Sequence, residues 1–350
     1  MSANVGLVIS EGAEMKKLSP WIEIPKVQTF EHLRAAVNGY TYSRVILTAL
    51  DLDIFSVVGG QSWTIRRLAL GLHSSKRGID ILCRNLASLG LLEVQNGLYK
   101  NSSLGATALN KKSPEYRGAY LSLLQRHWDE WSQLTDSVKS GKPLPDDDPI
   151  AEEEHRRAFT WAMHHRSRDM APRIAKHIDL RGATTLLDVG GGPGTYTLAI
   201  LAKWPKLHGT VGDRPAALQV ARAVARKHPA GKRLSFLPLD FMVEDIPGSY
   251  DVILLSNVIH IYGPAENIAL LKKIKAALNP GGRVIIQDFF LWDKNGLRPI
   301  ETNLFALTML LHTETGNTYA AQEVKKWLTK AKFLTVTTIP TSDEPLLEGR

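Results

Sequence analysis

The chain has 350 residues, 44% of them hydrophobic and 22% charged, which suits a globular protein with one large core or two domains. Its one cysteine, Cys83, excludes an internal disulfide and a cysteine-cluster metal site, and fits a reducing, cytoplasmic compartment. The net charge of +8, from 43 Lys and Arg against 35 Asp and Glu, is scattered along the chain and reads as a solvated surface, not as a nucleic-acid footprint.

The first 17 residues lack a basic start followed by a long apolar core, so no signal peptide is expected. No apolar run approaches ~18 residues, so no membrane span is expected. Residues 1 to about 26 read as a loose arm broken by Pro20 and Pro25. Over 27–57 the pattern is helical, with Leu33, Val37, Tyr40, Val45, Leu47, Leu50 and Ile54 as its apolar positions. Ser62-Trp63-Thr64 opens a helix over 65–72, and Ser74-Ser75 opens another over 78–89 that Gly90 stops. Residues 91–102 then read as a hairpin turning at Asn96-Gly97. Helices followed by a small wing form a winged-helix pattern, a module that either reads DNA or dimerises. Its last helix offers only Lys76, Arg77 and Arg84, so dimerisation is favoured.

Residues 113–140 are helical again, with Tyr116, Tyr120, Leu123, Leu124, Trp128 and Trp131. Trp128 and Trp131 suit a pocket wall and plain core equally. The acid run at 146–148, set between prolines, reads as a solvated loop rather than a metal site. A helical pattern over 151–178 puts Phe159, Met163, Arg166 and Met170 on one face. If that face lines an acceptor pocket, Arg166 is placed to bind a carboxylate; otherwise it is paired within the fold. His164 and His165 do not share a helix face, so no metal pair is expected there.

From residue 184 strands and helices alternate. Strands are expected at 184–189, 207–213, 233–240, 250–260, 283–291, 333–339 and near 345–347. Helices are expected after Gly194 and over 215–227, 265–278 and 321–330. This predicts a doubly wound, Rossmann-like α/β fold with a mostly parallel seven-stranded sheet. The expected division is an arm and winged-helix dimerisation domain over 1–112, a helical pocket region over 113–180 and a ligand-binding domain over 181–350.

Three successive strands end in acids, at Asp188, Asp213 and Asp240. After the first comes a glycine turn, Gly190-Gly191-Gly192-Pro193-Gly194, ahead of a helix N-terminus. A dinucleotide fingerprint starting at Gly190 would end on Thr195, not glycine, and a Gly-Lys-Ser/Thr phosphate loop is absent. Asp188 suits the cationic amino-acid end of a ligand, Asp213 a ribose diol, and Asp240 with Phe241 an adenine. Together these describe S-adenosylmethionine, with S-adenosylhomocysteine as product. His260, just past the fourth strand, has a side chain whose ordinary pKa of ~6.5 suits a general base. Asp288, at the end of the fifth strand, lies on the same rim and suits the orienting acid of a triad.

On these residues, and on the runs LLDVGGGPG, SNVIH and LNPGGRVIIQDFFL, the sequence resembles the small-molecule O-methyltransferases of the caffeic acid and hydroxyneurosporene type, from about residue 27 to the end. The resemblance implies a homodimer through the N-terminal domain. It implies donor binding by Gly190, Gly192, Asp213, Asp240 and Phe241, with Ser167 near the methionine end, and it implies His260 as base, Asp288 beside it and Met163 in the acceptor pocket. Ser256 is counted with the cofactor residues, and Met309 and Thr313 with the acceptor pocket. Where the family usually reads His-Asp-Trp, this chain reads His260-Ile261-Tyr262, and a second flanking Glu and an Arg fall on Thr318 and Tyr319. Those departures keep S-methylation of a small thiol or thioether acid as an alternative. A winged-helix regulator that senses S-adenosylmethionine is another. The expected partner is a small molecule, with no nucleic acid.

Overall fold

In the computed structural model, residues 26–145, 149–341 and 345–350 are described. The expected arm, apart from Lys26, and the acid run at 146–148 lie outside them. The chain divides into two units. One comprises the described residues of Pro25–Ser132 with Trp161–Arg166; the other comprises those of Gln133–Thr160 and Ser167–Arg350.

In the first unit the helical pattern over 27–57 is three helices, Phe30–Asn38, Tyr40–Asp51 and Ile54–Val58. The chain breaks at Gly39 and again at Asp53, whose φ of +55° is left-handed. The two serine/threonine starts cap as expected. Thr64 Oγ accepts from the Arg67 amide to open Ile65–Gly71, and Ser75 Oγ accepts from the Gly78 amide to open Lys76–Ser88. The hairpin pairs Leu92–Gln95 with Leu98–Asn101, and Asn96 and Gly97 both have positive φ, as a type I′ turn requires. A third short strand, Trp63–Thr64, pairs with the wing through Trp63 and Tyr99, which the sequence pattern does not anticipate. Phe55, Ile54, Leu68, Ile79, Leu86 and Leu92 fill the core. Helix Phe30–Asn38 buries none of its residues, and Phe30, Leu33 and Val37 stand exposed at helical spacing on it.

The expected helix over 113–140 is two, Gly118–Ser132 and Leu134–Ser140, and that over 151–178 is Pro149–Ser167 and Met170–His177.

The second unit holds a seven-stranded sheet: β1 (Thr185–Val189), β2 (His208–Asp213), β3 (Leu234–Pro238), β4 (Tyr250–Ser256), β5 (Leu278–Gln287), β6 (Val336–Ile339) and β7 (Leu346–Gly349). Their order is β6-β7-β5-β4-β1-β2-β3. Only β7 runs antiparallel to its neighbours. Chain order reverses at β1 and β4, so their carboxyl ends open the crevice where such sheets bind ligands. Leu187, Val189, Ile253, Leu255, Val284 and Ile286 of the central strands are fully buried, each side chain contributing about 1.5–3 kcal/mol. Helices Pro264–Ala276 and Ala321–Lys330 cover them with Leu270, Leu271, Val324 and Leu328.

Several boundaries differ from the expected ones. β3 stops at Pro238, two residues short of Asp240. β4 stops at Ser256 because Asn257 turns to a φ of +56°, and His260 lies in a one-turn 3-10 helix, Ile259–Ile261. β5 starts at Leu278, but its pairing passes from Leu278 to Arg283, so Asn279-Pro280-Gly281-Gly282 form a bulge between them, with Gly281 at a φ of +77°. Phe290–Leu291, expected as its end, pairs separately with Tyr319–Ala320. Helix Ile300–His312 is absent from the sequence reading, since apolar residues surround it without a clear stripe.

Candidate active site

Asp188 is buried near the end of β1, and its Oδ2 accepts the Thr197 hydroxyl at 2.5 Å. Its other oxygen, Oδ1, is buried without a hydrogen-bond partner. Burial pushes the carboxyl up to about 7, against the Thr197 hydrogen bond; the nearby Asp213 charge adds to the rise. The turn that follows is built for close approach. Gly190 has a φ of +67°, and a Cβ there would lie 2.8 Å from Val258 Cγ2 and 3.2 Å from Phe241 Cε1. A Cβ at Gly191 would meet the Asp188 carboxyl at 2.6 Å, whereas one at Gly192 would meet nothing within 4 Å.

Asp213 closes β2. Its Oδ2 accepts the Gly192 amide at 2.8 Å and its Oδ1 the Arg214 amide at 2.7 Å. Burial raises its carboxyl, while those two amides and the Arg156 and Arg214 guanidinium groups pull it back. Arg214 reaches on to Asp240 at 3.4 Å, and Asp240 Oδ1 also accepts the Met242 amide at 3.2 Å. Phe241 stands edge-on to Tyr262, ring centroids 6.1 Å apart, and burial raises the Tyr262 phenol. The glycine turn, Asp213, Arg214, Asp240, Phe241 and Tyr262 thus form one rim. Arg214 was not picked out from the sequence, where its only signal was that it adjoins Asp213, and Tyr262 was noted only as a departure from the family's His-Asp-Trp.

The second group lies past β4 and β5. His260 Nδ1 and Asp288 Oδ1 are 2.7 Å apart, and both residues are buried. Asp288 also accepts the Phe289 amide at Oδ1 and the His260 amide at Oδ2. With every donor aimed at the carboxylate, Nδ1–H donates and the Nε2 lone pair is left to act. Phe305, from helix Ile300–His312, meets the imidazole edge-on at 4.9 Å, and Phe289 lies 4.4 Å from Phe305. Met309 on that helix is buried, and its carbonyl accepts from Thr313. Phe305 was missed because its helix was.

The remaining sequence-predicted residues are spread more widely. The Ser256 hydroxyl donates to Gln287 Oε1 at 2.5 Å. Ser167 is buried at the end of helix Pro149–Ser167, and Phe159 on that helix is exposed. Met163, Arg166 and Trp128 belong to the helical unit, where Trp128 packs against Tyr40 and carries Arg44 over its ring. Among the described residues no cluster of three His, Cys, Asp or Glu is placed to hold a metal ion, and no helix is long and apolar enough to cross a membrane.

Known proteins decide the family. The O-methyltransferase domain family matches residues 147–334, more than half of the chain, and the O-methyltransferase dimerisation domain matches residues 35–111. The chain belongs to the O-methyltransferase family. Among its relatives is the 3-hydroxy-5-methyl-1-naphthoate 3-O-methyltransferase of Streptomyces sahachiroi, 29% identical and covering 86% of this chain and 89% of the relative. Demethylspheroidene O-methyltransferase of Rhodobacter capsulatus is 27% identical, covering 87% and 77%. The fold matches human N-acetylserotonin methyltransferase in complex with S-adenosylmethionine, with a TM-score of 0.82, 22% identity and coverage of 94% and 99%. This O-methyltransferase takes its methyl group from S-adenosylmethionine and places it on a hydroxyl of a small molecule. Neither the sulfur acceptor nor the regulator finds support in these relatives. The residues present fit that donor: Asp188 keeps a buried carboxylate oxygen with no hydrogen-bond partner, as a cationic group would need, and the space beside Gly192 is open to 4 Å.

Proposed function

We propose that this O-methyltransferase methylates a ring hydroxyl of a small, largely apolar compound, with His260 as general base and Asp288 orienting it. The observation that carries this is the buried 2.7 Å contact between His260 Nδ1 and Asp288 Oδ1, which fixes the tautomer and frees Nε2. S-adenosylmethionine, when bound, supplies a methyl group on a sulfonium, so transfer is an in-line displacement in which alignment supplies much of the rate. His260 Nε2 takes the acceptor's hydroxyl proton as the oxygen attacks, and Asp288 stabilises the resulting imidazolium. Phe289, tilted against the imidazole, and Phe305, edge-on to it, offer an apolar ring a matching surface. The naphthoate named for the Streptomyces relative has that character, and its carboxylate is the kind of group assigned to Arg166. Met163, Trp128, Phe159, Met309 and Thr313 are assigned to the acceptor as well.

On the donor side, Asp188 is assigned to the amino group, Asp213 to the ribose and Asp240 with Phe241 to the adenine. Gly190 and Gly192 form the turn beneath, with Ser167 near the methionine end and Ser256 also assigned to the donor. The working division is 1–112 for dimerisation, 113–180 for the acceptor and 181–350 for the donor. A homodimer would cover the exposed Phe30, Leu33 and Val37 of helix Phe30–Asn38. Labelled-methyl transfer to a panel of phenols, hydroxylated isoprenoids and thiol acids tests the reading. Ring hydroxyls are expected to accept and to lose acceptance in His260→Ala; transfer only to sulfur would overturn it. Leu33→Asp is expected to elute as a monomer in size-exclusion chromatography.

A further inference from the structure

The turn that carries His260 is held by groups that the reaction itself does not use. Asn267, in the first turn of helix Pro264–Ala276, is fully buried. Its side-chain amide donates to the Ile259 carbonyl at 2.9 Å and to the Tyr262 carbonyl at 2.7 Å. Those two carbonyls bracket His260 and Ile261. The Tyr319 hydroxyl donates to the same Tyr262 carbonyl at 2.7 Å. The carbonyl of His260 itself accepts the Asn317 amide at 2.9 Å. Beside it, a Cβ on Gly316 would lie 2.5 Å from the His260 carbonyl oxygen, so the backbone there is packed as closely as it allows.

A buried amide is costly to keep. Asn267 Oδ1 has no hydrogen-bond partner, while its helix neighbours Leu270, Leu271 and Ile274 are apolar core. An apolar residue would serve packing at this position. What Asn267 supplies that an apolar residue cannot is two donors aimed at the two ends of one short turn. Tyr319 adds a third donor from a different element, strand Tyr319–Ala320. Asp288 in turn accepts from the His260 ring and amide, so the turn is held through its side chain as well as its backbone.

We propose that Asn267 and Tyr319 form a clamp that sets the position of His260 by fixing the backbone of its turn. Both are positioning residues, since neither touches the imidazole. This rests on the reading of His260 as general base. A base must sit within hydrogen-bond reach of the proton it takes, and displacement by about 1 Å costs up to roughly 100-fold in rate. Loosening the turn also weakens the contact between His260 Nδ1 and Asp288. A weaker carboxylate contact stabilises the imidazolium less, so the acidic limb of the kcat profile moves to lower pH.

The test compares wild type, His260→Ala, Asn267→Ala and Tyr319→Phe on one hydroxyl acceptor. The readouts are kcat, KM for each substrate, S-adenosylhomocysteine affinity by calorimetry, and the kcat–pH profile. Asn267→Ala is expected to lower kcat by about 10- to 100-fold. S-adenosylhomocysteine affinity is expected to stay within about twofold, with the acidic limb displaced to lower pH. Tyr319→Phe removes one hydroxyl and no packing volume. It is expected to shift the limb the same way by a smaller amount, and it decides the matter if Asn267→Ala does not fold. A lower melting temperature with kcat per folded molecule and the limb unmoved would overturn the clamp. Full activity in His260→Ala would overturn the general-base reading instead, so the two failures are distinguishable.

Discussion

The Nδ1 of His260 lies 2.7 Å from Oδ1 of Asp288, although the two residues come from different strand ends and 28 positions apart in the chain. Asp288 follows β5 directly, whereas His260 follows β4 through a left-handed Asn257 and a one-turn helix. Adjacent parallel strands therefore deliver acid and base to one rim, and the imidazole is locked in a single tautomer before any substrate arrives.

Removing either partner separates base catalysis from donor binding. His260→Ala is expected to lower kcat by roughly 100- to 10,000-fold, the range a positioned base contributes. Asp288→Asn keeps the volume but accepts through one oxygen only, and an amide donor turned toward Nδ1 would favour the other tautomer. It is expected to lose less than His260→Ala and more than tenfold. Calorimetric S-adenosylhomocysteine affinity is expected to hold in both variants; loss of that affinity would mean the pair supports the donor site instead.

Asp188 couples stability and donor binding to pH with opposite sign. Its carboxyl is raised by burial to about 7 in the folded chain, well above its ordinary value. Between those two values the folded state holds a proton that the unfolded state has lost, so stability falls as pH rises through this window and levels off above it. Asp188→Asn removes the penalty and still accepts from Thr197. Its melting temperature is expected to exceed that of wild type near pH 8, with the gap closing toward pH 4. A cationic amino group favours the ionised carboxylate, so S-adenosylmethionine is expected to bind more tightly up to about pH 7 and to release protons near pH 6. Calorimetry in two buffers of different ionisation enthalpy measures that release; none would detach Asp188 from the donor.

Gly190 and Gly192 both have positive φ, yet their surroundings differ. Alanine at Gly190 must displace Val258 Cγ2 from 2.8 Å, a packing fault added to the left-handed strain. Alanine at Gly192 meets no atom within 4 Å, so only the strain, about 1–2 kcal/mol, opposes folding. Thermal melts are expected to show a small loss for Gly192→Ala and a larger one for Gly190→Ala. Donor affinity is expected to fall in both, because the Gly192 methyl enters space the turn keeps clear. Equal melting temperatures would show that Val258 yields freely.

Much of this was legible beforehand because the residues carry local signals. Thr64, Ser75 and Asn96-Gly97 act through backbone bonds a few positions away, and each marks its element correctly. The strand-end acids follow from the alternation of strand and helix. Helix Ile300–His312 was illegible because its apolar residues, including Phe305, make no single stripe. The turn signal at Asn279-Pro280-Gly281-Gly282 is expressed, since the ladder of β5 skips from Leu278 to Arg283 and Gly281 has a positive φ; what the sequence pattern does not show is that Leu278 already pairs with Tyr250. Arg214 and Tyr262 meet Asp240 and Phe241 from distant positions, and Asn267 meets backbone carbonyls five and eight positions back, which carry no residue-specific signal.

Lys273 shows the same long reach and yields the last prediction. From helix Pro264–Ala276 its ammonium donates to the carbonyls of Phe241, Met242 and Glu244, at 3.4, 3.0 and 2.8 Å. These belong to the loop after β3 that presents Asp240 and Phe241, the residues assigned to the adenine. One charged side chain thus ties down the first half of the loop, from Phe241 to Glu244. Methionine at this position keeps most of the stem and removes every donor. Lys273→Met is expected to raise KM for S-adenosylmethionine about tenfold, in line with losing hydrogen bonds to a charged group, while kcat at saturating donor stays near wild type. Adenosine affinity is expected to fall by a similar factor and methionine affinity to be unmoved, because only the adenine end depends on this loop. If melting temperature drops while both affinities hold, the lysine braces the fold and the loop keeps its shape without it.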